Sequence, residues 1–143
     1  MYKPGIIKII EEDKEAEPKK IIIQGRLAGA NEYINACRTN KFGAAKFKND
    51  QEKLVRFGLM EAFREKTKVR SLTPPLKLII HWYEPNSRRD IDNICFGTKF
   101  ILDALVKNEW LPNDNQKVIN QIIHYVDIDK DNPRIEIEVK HNG

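Results

Sequence analysis

The sequence predicts an α/β (α+β) fold, a small mixed or antiparallel sheet with helices packed on it. Three observations carry that prediction. Isoleucine-rich runs of strand length recur at Lys20–Gln24 and Leu76–Tyr83; a long amphipathic stretch lies between them; apolar and polar residues alternate over the last third of the chain. The 143 residues are enough for one domain with a real core, taken as 1–143.

In chain order, Gly5–Ile10 and Lys20–Gln24 read as strands around the polar run from Glu11 to Lys19. The triple isoleucine of the second has the pattern of a buried strand. Gly25–Gly29 reads as a loop and Asn31–Arg38 as a short helix, interrupted at Thr39–Gly43. A long helix is predicted over about Ala44–Lys66, with Phe47, Leu54, Val55, Ala62 and Phe63 facing the core and Gly58 either weakening it slightly or marking close packing. Ser71–Pro75 ends it, because proline cannot continue a helix. Leu76–Tyr83 is the clearest strand, and it delivers the chain to the run Arg88-Arg89-Asp90-Ile91-Asp92-Asn93. One helix is predicted from about Asp92 to Lys107, then a turn carrying Asp114. Val118–Val126 and Arg134–Lys140 close the chain as an antiparallel pair.

The composition is that of a globular chain, 41% hydrophobic and 32% charged. It contains no apolar run of membrane-spanning length and no signal-peptide pattern at the N-terminus, so the expectation is a cytoplasmic protein. Cys37 and Cys95 lie far apart without a C-x-x-C pairing, which points away from a disulfide framework and a thiolate zinc site. The net charge is only +4, yet Arg38 to Arg70 holds ten basic residues against four acidic ones. A basic middle with acidic flanks suits a surface that holds phosphates; a mixed-charge amphipathic helix also looks this way.

The acidic run after Leu76–Tyr83 is where chemistry concentrates. On a helix of 3.6 residues per turn with Asp92 at zero, Lys99 falls at about −20° and Asp103 at about +20°, while Ile94, Ile101 and Leu105 fall at about 180–220°. Charge occupies one stripe and aliphatic surface the other. The plain alternative is a solvated face with a Lys99–Asp103 pair and an aspartate used as helix cap. Three carboxylates, Asp90, Asp92 and Asp114, with no histidine or cysteine near them in sequence would make a hard-oxygen set suited to Mg²⁺ or Mn²⁺.

The run R-R-D-x-D-N, the helix containing K-x-x-x-D-A-L, and N-D in a turn before an apolar strand together resemble the RusA-type Holliday junction resolvases of phages and prophages. The segment I-x-G-R-L-x-G-x-N-E-Y-I-x-A-C-R-x-N-K is similar to the start of a phage-borne branch of that family. The resemblance implies a homodimeric, Mg²⁺-dependent endonuclease that nicks opposed strands of branched, four-way DNA. It implies that Asp90, Asp92 and Asp114 bind metal, that Lys99 stabilises developing charge, and that Asn93 and Asp103 support them. Arg88, Arg89, Arg38, Lys41, Lys46 and Lys48 would contact DNA, with Tyr33 either beside them or in the core. The chain departs from the family pattern in one place. The family's lysine follows the second aspartate by four residues, a position held here by Phe96, whereas Lys99 follows Asp92 by seven.

Other readings stay beside this one. A non-catalytic DNA- or RNA-binding module would use the same acids structurally, and a nuclease preferring flaps or forks would use them as a resolvase does. Asp127, Asp129, Asp131 and Glu138 have calcium-loop spacing, but Asn132 stands at the glycine position and the flanks read as strands, so the segment is a turn. His81, His124, Trp82 and Trp110 read as packed residues.

Overall fold

The computed structural model describes residues 7–11, 20–39, 41–64 and 68–143. In order these form β1 (Ile7–Glu11), β2 (Ile21–Gln24), α1 (Ala30–Thr39), α2 (Lys41–Arg64), β3 (Lys68–Leu72), β4 (Leu76–Glu84), α3 (Ile91–Cys95), α4 (Thr98–Lys107), β5 (Ile119–Ile128) and β6 (Arg134–His141). The main sheet has the order β2-β6-β4-β5, mixed because β4 runs parallel to β5 and antiparallel to β6. β1 and β3 pair with each other as a separate antiparallel ribbon. The α+β expectation holds.

Period-two alternation explains how the sheet is coated. Leu76, Leu78, Ile80, Trp82 and Glu84 of β4 are buried, and the residues between them are only partly covered. The rows continue sideways, since Ile80 faces Ile137 and Trp82 faces Ile135 on β6, which in turn face Ile21 and Ile23 on β2. Helices α2 and α4 add Val55, Leu59, Ala62, Phe100, Ile101 and Leu105 to the same core. Gly58 lets α2 lie close to β2, because a Cβ there would stand 2.6 Å from the Ile22 carbonyl oxygen. Phe47 and Leu54 pack at the rim of the core, and Trp82 and Trp110 are buried, as expected. The Phe63 side chain lies outside the described residues. No helix among the described residues is long and apolar enough to cross a membrane.

Two expectations are corrected. The last two strands are not a hairpin, because β4 lies between β5 and β6. The connecting turn at 129–133 crosses the end of β4, where the Asp129 N–H donates to the Glu84 carbonyl at 2.8 Å. Stepping over one strand spans two strand spacings, roughly 10 Å, within reach of five residues. The aspartates of this turn serve the protein itself, Asp127 meeting His81 at 2.5 Å and Asp129 meeting Arg134 at 2.8 Å. β3 is the second difference, a strand in the stretch read as helix end and breaker.

His124 on β5 accepts a hydrogen bond at its Nδ1 from the Trp82 indole N–H, 3.0 Å away. Burial holds its pKa below the usual histidine value. The folded chain therefore resists a proton that the unfolded chain accepts, so this stability is present above about pH 6.5 and lost as the pH falls below it. Thermal unfolding followed from pH 7.5 to 5 should show a decline that is smaller in His124→Asn, whose Oδ1 stands where Nδ1 does and keeps an acceptor without titrating.

Candidate active site

The site grows from the C-terminal end of β4. Alternation turns Glu84 toward the core, where only 4% of its side chain is exposed, and a carboxylate there needs charge partners. Arg89 supplies a two-pronged pair, with Nε to Oε1 and Nη2 to Oε2 both at 2.9 Å, and Arg26 adds a contact at 2.9 Å. Burial works against the Glu84 charge, yet the hydrogen bonds from Arg89 and Arg26 hold its carboxyl below the usual range. Arg89 also donates to the Leu27 carbonyl at 3.1 Å. Arg89 is thus a buried tie between β4 and the loop before α1, whereas Arg88 points to solvent. The paired arginines expected to hold DNA divide into one anchor and one exposed cation.

Asp90 and Asp92 follow at once. Asp90 occupies the N-cap position of α3 with extended backbone, but its side chain makes no capping hydrogen bond. Asp92 lies in the first turn, one oxygen accepting the Asn93 N–H at 3.0 Å. Both are exposed, and neither has an ion-pair partner among the described residues. Asn93 turns the other way, its Oδ1 accepting the Asn31 N–H at 3.2 Å. A Cβ on Gly29 would lie 2.3 Å from that oxygen, so glycine is what lets α3 dock on the start of α1.

The single helix expected from Asp92 to Lys107 is two helices. α3 ends at Cys95 and α4 begins at Thr98, with the Gly97 and Lys99 N–H groups bonded only three residues back, to Ile94 and Phe96. Gly97 sits on the Trp82 ring, which a Cβ would approach to 3.1 Å. The helical angle between Asp92 and Lys99 therefore does not hold across the break, and the longer spacing is taken up by a turn. Within α4 the expected Lys99–Asp103 pair is present, at 3.7 Å. Lys48 of α2 holds the same Asp103 oxygen more closely, at 3.0 Å, and that hydrogen bond raises the Lys48 pKa. Lys48, expected on DNA, is instead the nearer partner of Asp103, while Lys99 stays 46% exposed. Tyr33 packs on Phe47, Phe96 and Phe100 beside this pair.

Asp114 is held by a turn of its own. Trp110 and Leu111 are buried and bond back to the Leu105 carbonyl, and Asn113 Oδ1 takes the Asp114 and Asn115 N–H groups at 2.7 and 3.0 Å. The carboxylate is exposed. This turn leads into the start of β5, which pairs in parallel with the start of β4, whereas Asp90 and Asp92 follow the end of β4. Nine residues of strand at ~3.3 Å each separate the two ends by roughly 26 Å. No group of three His, Cys, Asp or Glu among the described residues could hold a metal ion. One chain thus does not bring Asp114 to Asp90 and Asp92. The donor chemistry suits a hard divalent cation, but the set is incomplete within a single copy.

Of the remaining cations expected on DNA, Arg38 is exposed at the end of α1 and Lys46 is exposed and paired with Asp50 at 3.1 Å. The Lys41 side chain lies outside the described residues. Sequence reasoning missed Glu84 and Arg26, which fix the site's frame. The signal was present as a glutamate on the buried phase of β4, a position that calls for an arginine.

Residues 59–140, more than half of the chain and including Asp90, Asp92, Lys99 and Asp114, match the family model described as Endodeoxyribonuclease RusA. No curated protein matches the chain.

Proposed function

Because the chain belongs to the RusA endodeoxyribonuclease family of Holliday junction resolvases, we propose that it cuts four-way DNA junctions in a reaction dependent on Mg²⁺ or Mn²⁺. The observation that carries the reading is the exposed, uncapped pair Asp90 and Asp92, held at the end of the most buried strand by the Glu84–Arg89 tie. A divalent cation in such a site would make water acidic and offset phosphate charge. Asp90 and Asp92 would supply its first oxygens, Lys99 would face the phosphate, and Arg88 would hold the flanking backbone.

The third carboxylate, on this reading, comes from a second copy. A strand length is too far for the Asp114 turn to close, whereas a two-fold dimer can set the Asp114 of one copy beside the Asp90 and Asp92 of the other. Such a dimer has two equivalent sites and so matches two opposed strands of a junction. We place its action in the cytoplasm.

A synthetic four-way junction incubated with the protein should show paired, symmetric nicks with millimolar Mg²⁺ and none with EDTA. Mg²⁺ should also raise the melting temperature of the wild type by mass action and leave that of Asp92→Asn unmoved. A chain that holds junctions equally with and without metal and never nicks them would be the non-catalytic binder, and the nuclease reading would fall. Faster cutting of flaps or forks would move the preferred substrate away from four-way junctions.

A further inference from the structure

Helices α2 and α4 meet along a seam whose charges alternate in sign. From the Lys99 end it runs Lys99, Asp103, Lys48, Glu52, Lys107, with Lys48 lying 3.0 Å from Asp103 and 3.8 Å from Glu52, and Lys107 lying 2.6 Å from Glu52. Glu52 is the buried member, its side chain 8% exposed, and its Oε1 has no hydrogen-bond partner. A buried carboxylate of this kind is retained at a cost in desolvation, and here it fixes the lysines on either side of it. At Lys107 the seam opens into a groove of about 290 Å³, lined by Asn49, Glu52, Lys53 and Arg56 of α2, by Lys107 of α4 and by Asn108 just past its end. Lys53 and Arg56 are exposed and have no ion-pair partner among the described residues. With Glu52 neutralised by Lys107 and Lys48, the rim carries unmatched positive charge.

We propose that this groove is a second phosphate-binding site, holding the backbone of the same DNA strand that is cut beside Lys99. The inference rests on the reading that Lys99 faces the scissile phosphate. Lys99 and Lys107 are eight residues apart on one helix, about 12 Å at 1.5 Å per residue. A strand of duplex winds about its axis as it rises ~3.4 Å per nucleotide, so successive phosphates lie farther apart than the rise, and one about 12 Å away stands about two nucleotides from the cut. The two amides beside the cations can donate to phosphate oxygens without reading a base, which makes the site indifferent to sequence. The groove would thus set the path of one junction arm and its angle to the cleavage centre.

The double variant Lys53→Gln/Arg56→Gln removes the two unpaired cations and leaves the Glu52 network intact, and Lys20→Gln, paired with Glu136 and Glu138 on the sheet face turned away from the helices, serves as a distant control. Junction binding is measured across a salt series without divalent metal. The slope of log K against log salt should become shallower by about 1.8 in the double variant, ~0.9 for the one phosphate no longer neutralised in each copy of the proposed dimer, and stay unchanged in the control. A junction with one neutral methylphosphonate about two nucleotides from the cut should weaken wild-type binding and cost the double variant nothing further. An unchanged slope, or equal sensitivity of both proteins to the neutral linkage, would overturn the groove. A chain that shows the shallower slope and still cuts no junction would sink the nuclease reading while leaving the groove standing.

Discussion

Chains carrying Asp92→Asn and chains carrying Asp114→Asn, each without activity alone, should recover cleavage when mixed. Each substitution exchanges an ionised oxygen donor for a neutral amide, and its effect should exceed the 10–100-fold loss that removing an outer partner of a metal ligand brings. In a mixed dimer built as proposed, one site combines both defects. The other joins an intact Asp90–Asp92 pair to an intact Asp114. With subunits exchanging at random, half of the dimers are mixed, so about one quarter of wild-type sites should return, each giving a single nick. The measurement is nicking of a labelled junction after subunit exchange, with either variant alone as the baseline. No recovery would mean that Asp114 does not serve across the dimer, and the two-chain site would be abandoned. The prediction combines the proposed dimer with strand direction, since β4 and β5 run parallel and Asp114 precedes the start of β5 while Asp90 and Asp92 follow the end of β4.

Arg89→Ala should destabilise the fold by about 3–5 kcal/mol, the range for breaking a buried ion pair from one side. Its guanidinium makes both contacts to the Glu84 carboxylate and one to the Leu27 carbonyl. Alanine leaves Glu84 with Arg26 alone, whose side chain is 36% exposed. Arg88→Ala, one residue earlier and exposed, should stay within about ±0.5 kcal/mol in urea unfolding while weakening junction binding. Equal effects of the two substitutions on stability would contradict the division of labour between them.

Much of the sheet was legible because alternation is a local property. The β4 strand followed from period and residue type, whereas the triple isoleucine read as a buried run alternates at the sheet edge, with Ile21 and Ile23 buried and Ile22 exposed. Pairing was not legible in the same way. Treating β5 and β6 as a hairpin assumed that neighbours in sequence are neighbours in space, and nothing in five turn residues reveals that they step over a third strand. The expectation that Asp114 joins Asp90 and Asp92 rested instead on the family resemblance, which carries no strand order. With β5 taken as the parallel partner of β4, the two acidic segments fall at opposite ends of the sheet.

Within the site, the residue types were readable and their loyalties were not. Lys48 and Arg89 have the chemistry to hold phosphate, but each faces a carboxylate of the protein, Lys48 an Asp103 far along the chain and Arg89 the Glu84 on the buried phase of β4 just before it. The Asp103 oxygen shared by Lys48 and Lys99 belongs to two helices 51 to 55 residues apart in the chain.

The indole beneath Gly97 has a last implication for how such a site can be altered. The backbone two residues before Lys99 rests on the core, because a Cβ at Gly97 would stand 3.1 Å from the ring of Trp82, closer than the ring allows without moving. Changing the reach from the acidic pair to the lysine is therefore a problem of reshaping an aromatic floor together with the bend it supports. Point changes on the solvent side alone would leave that reach where it is.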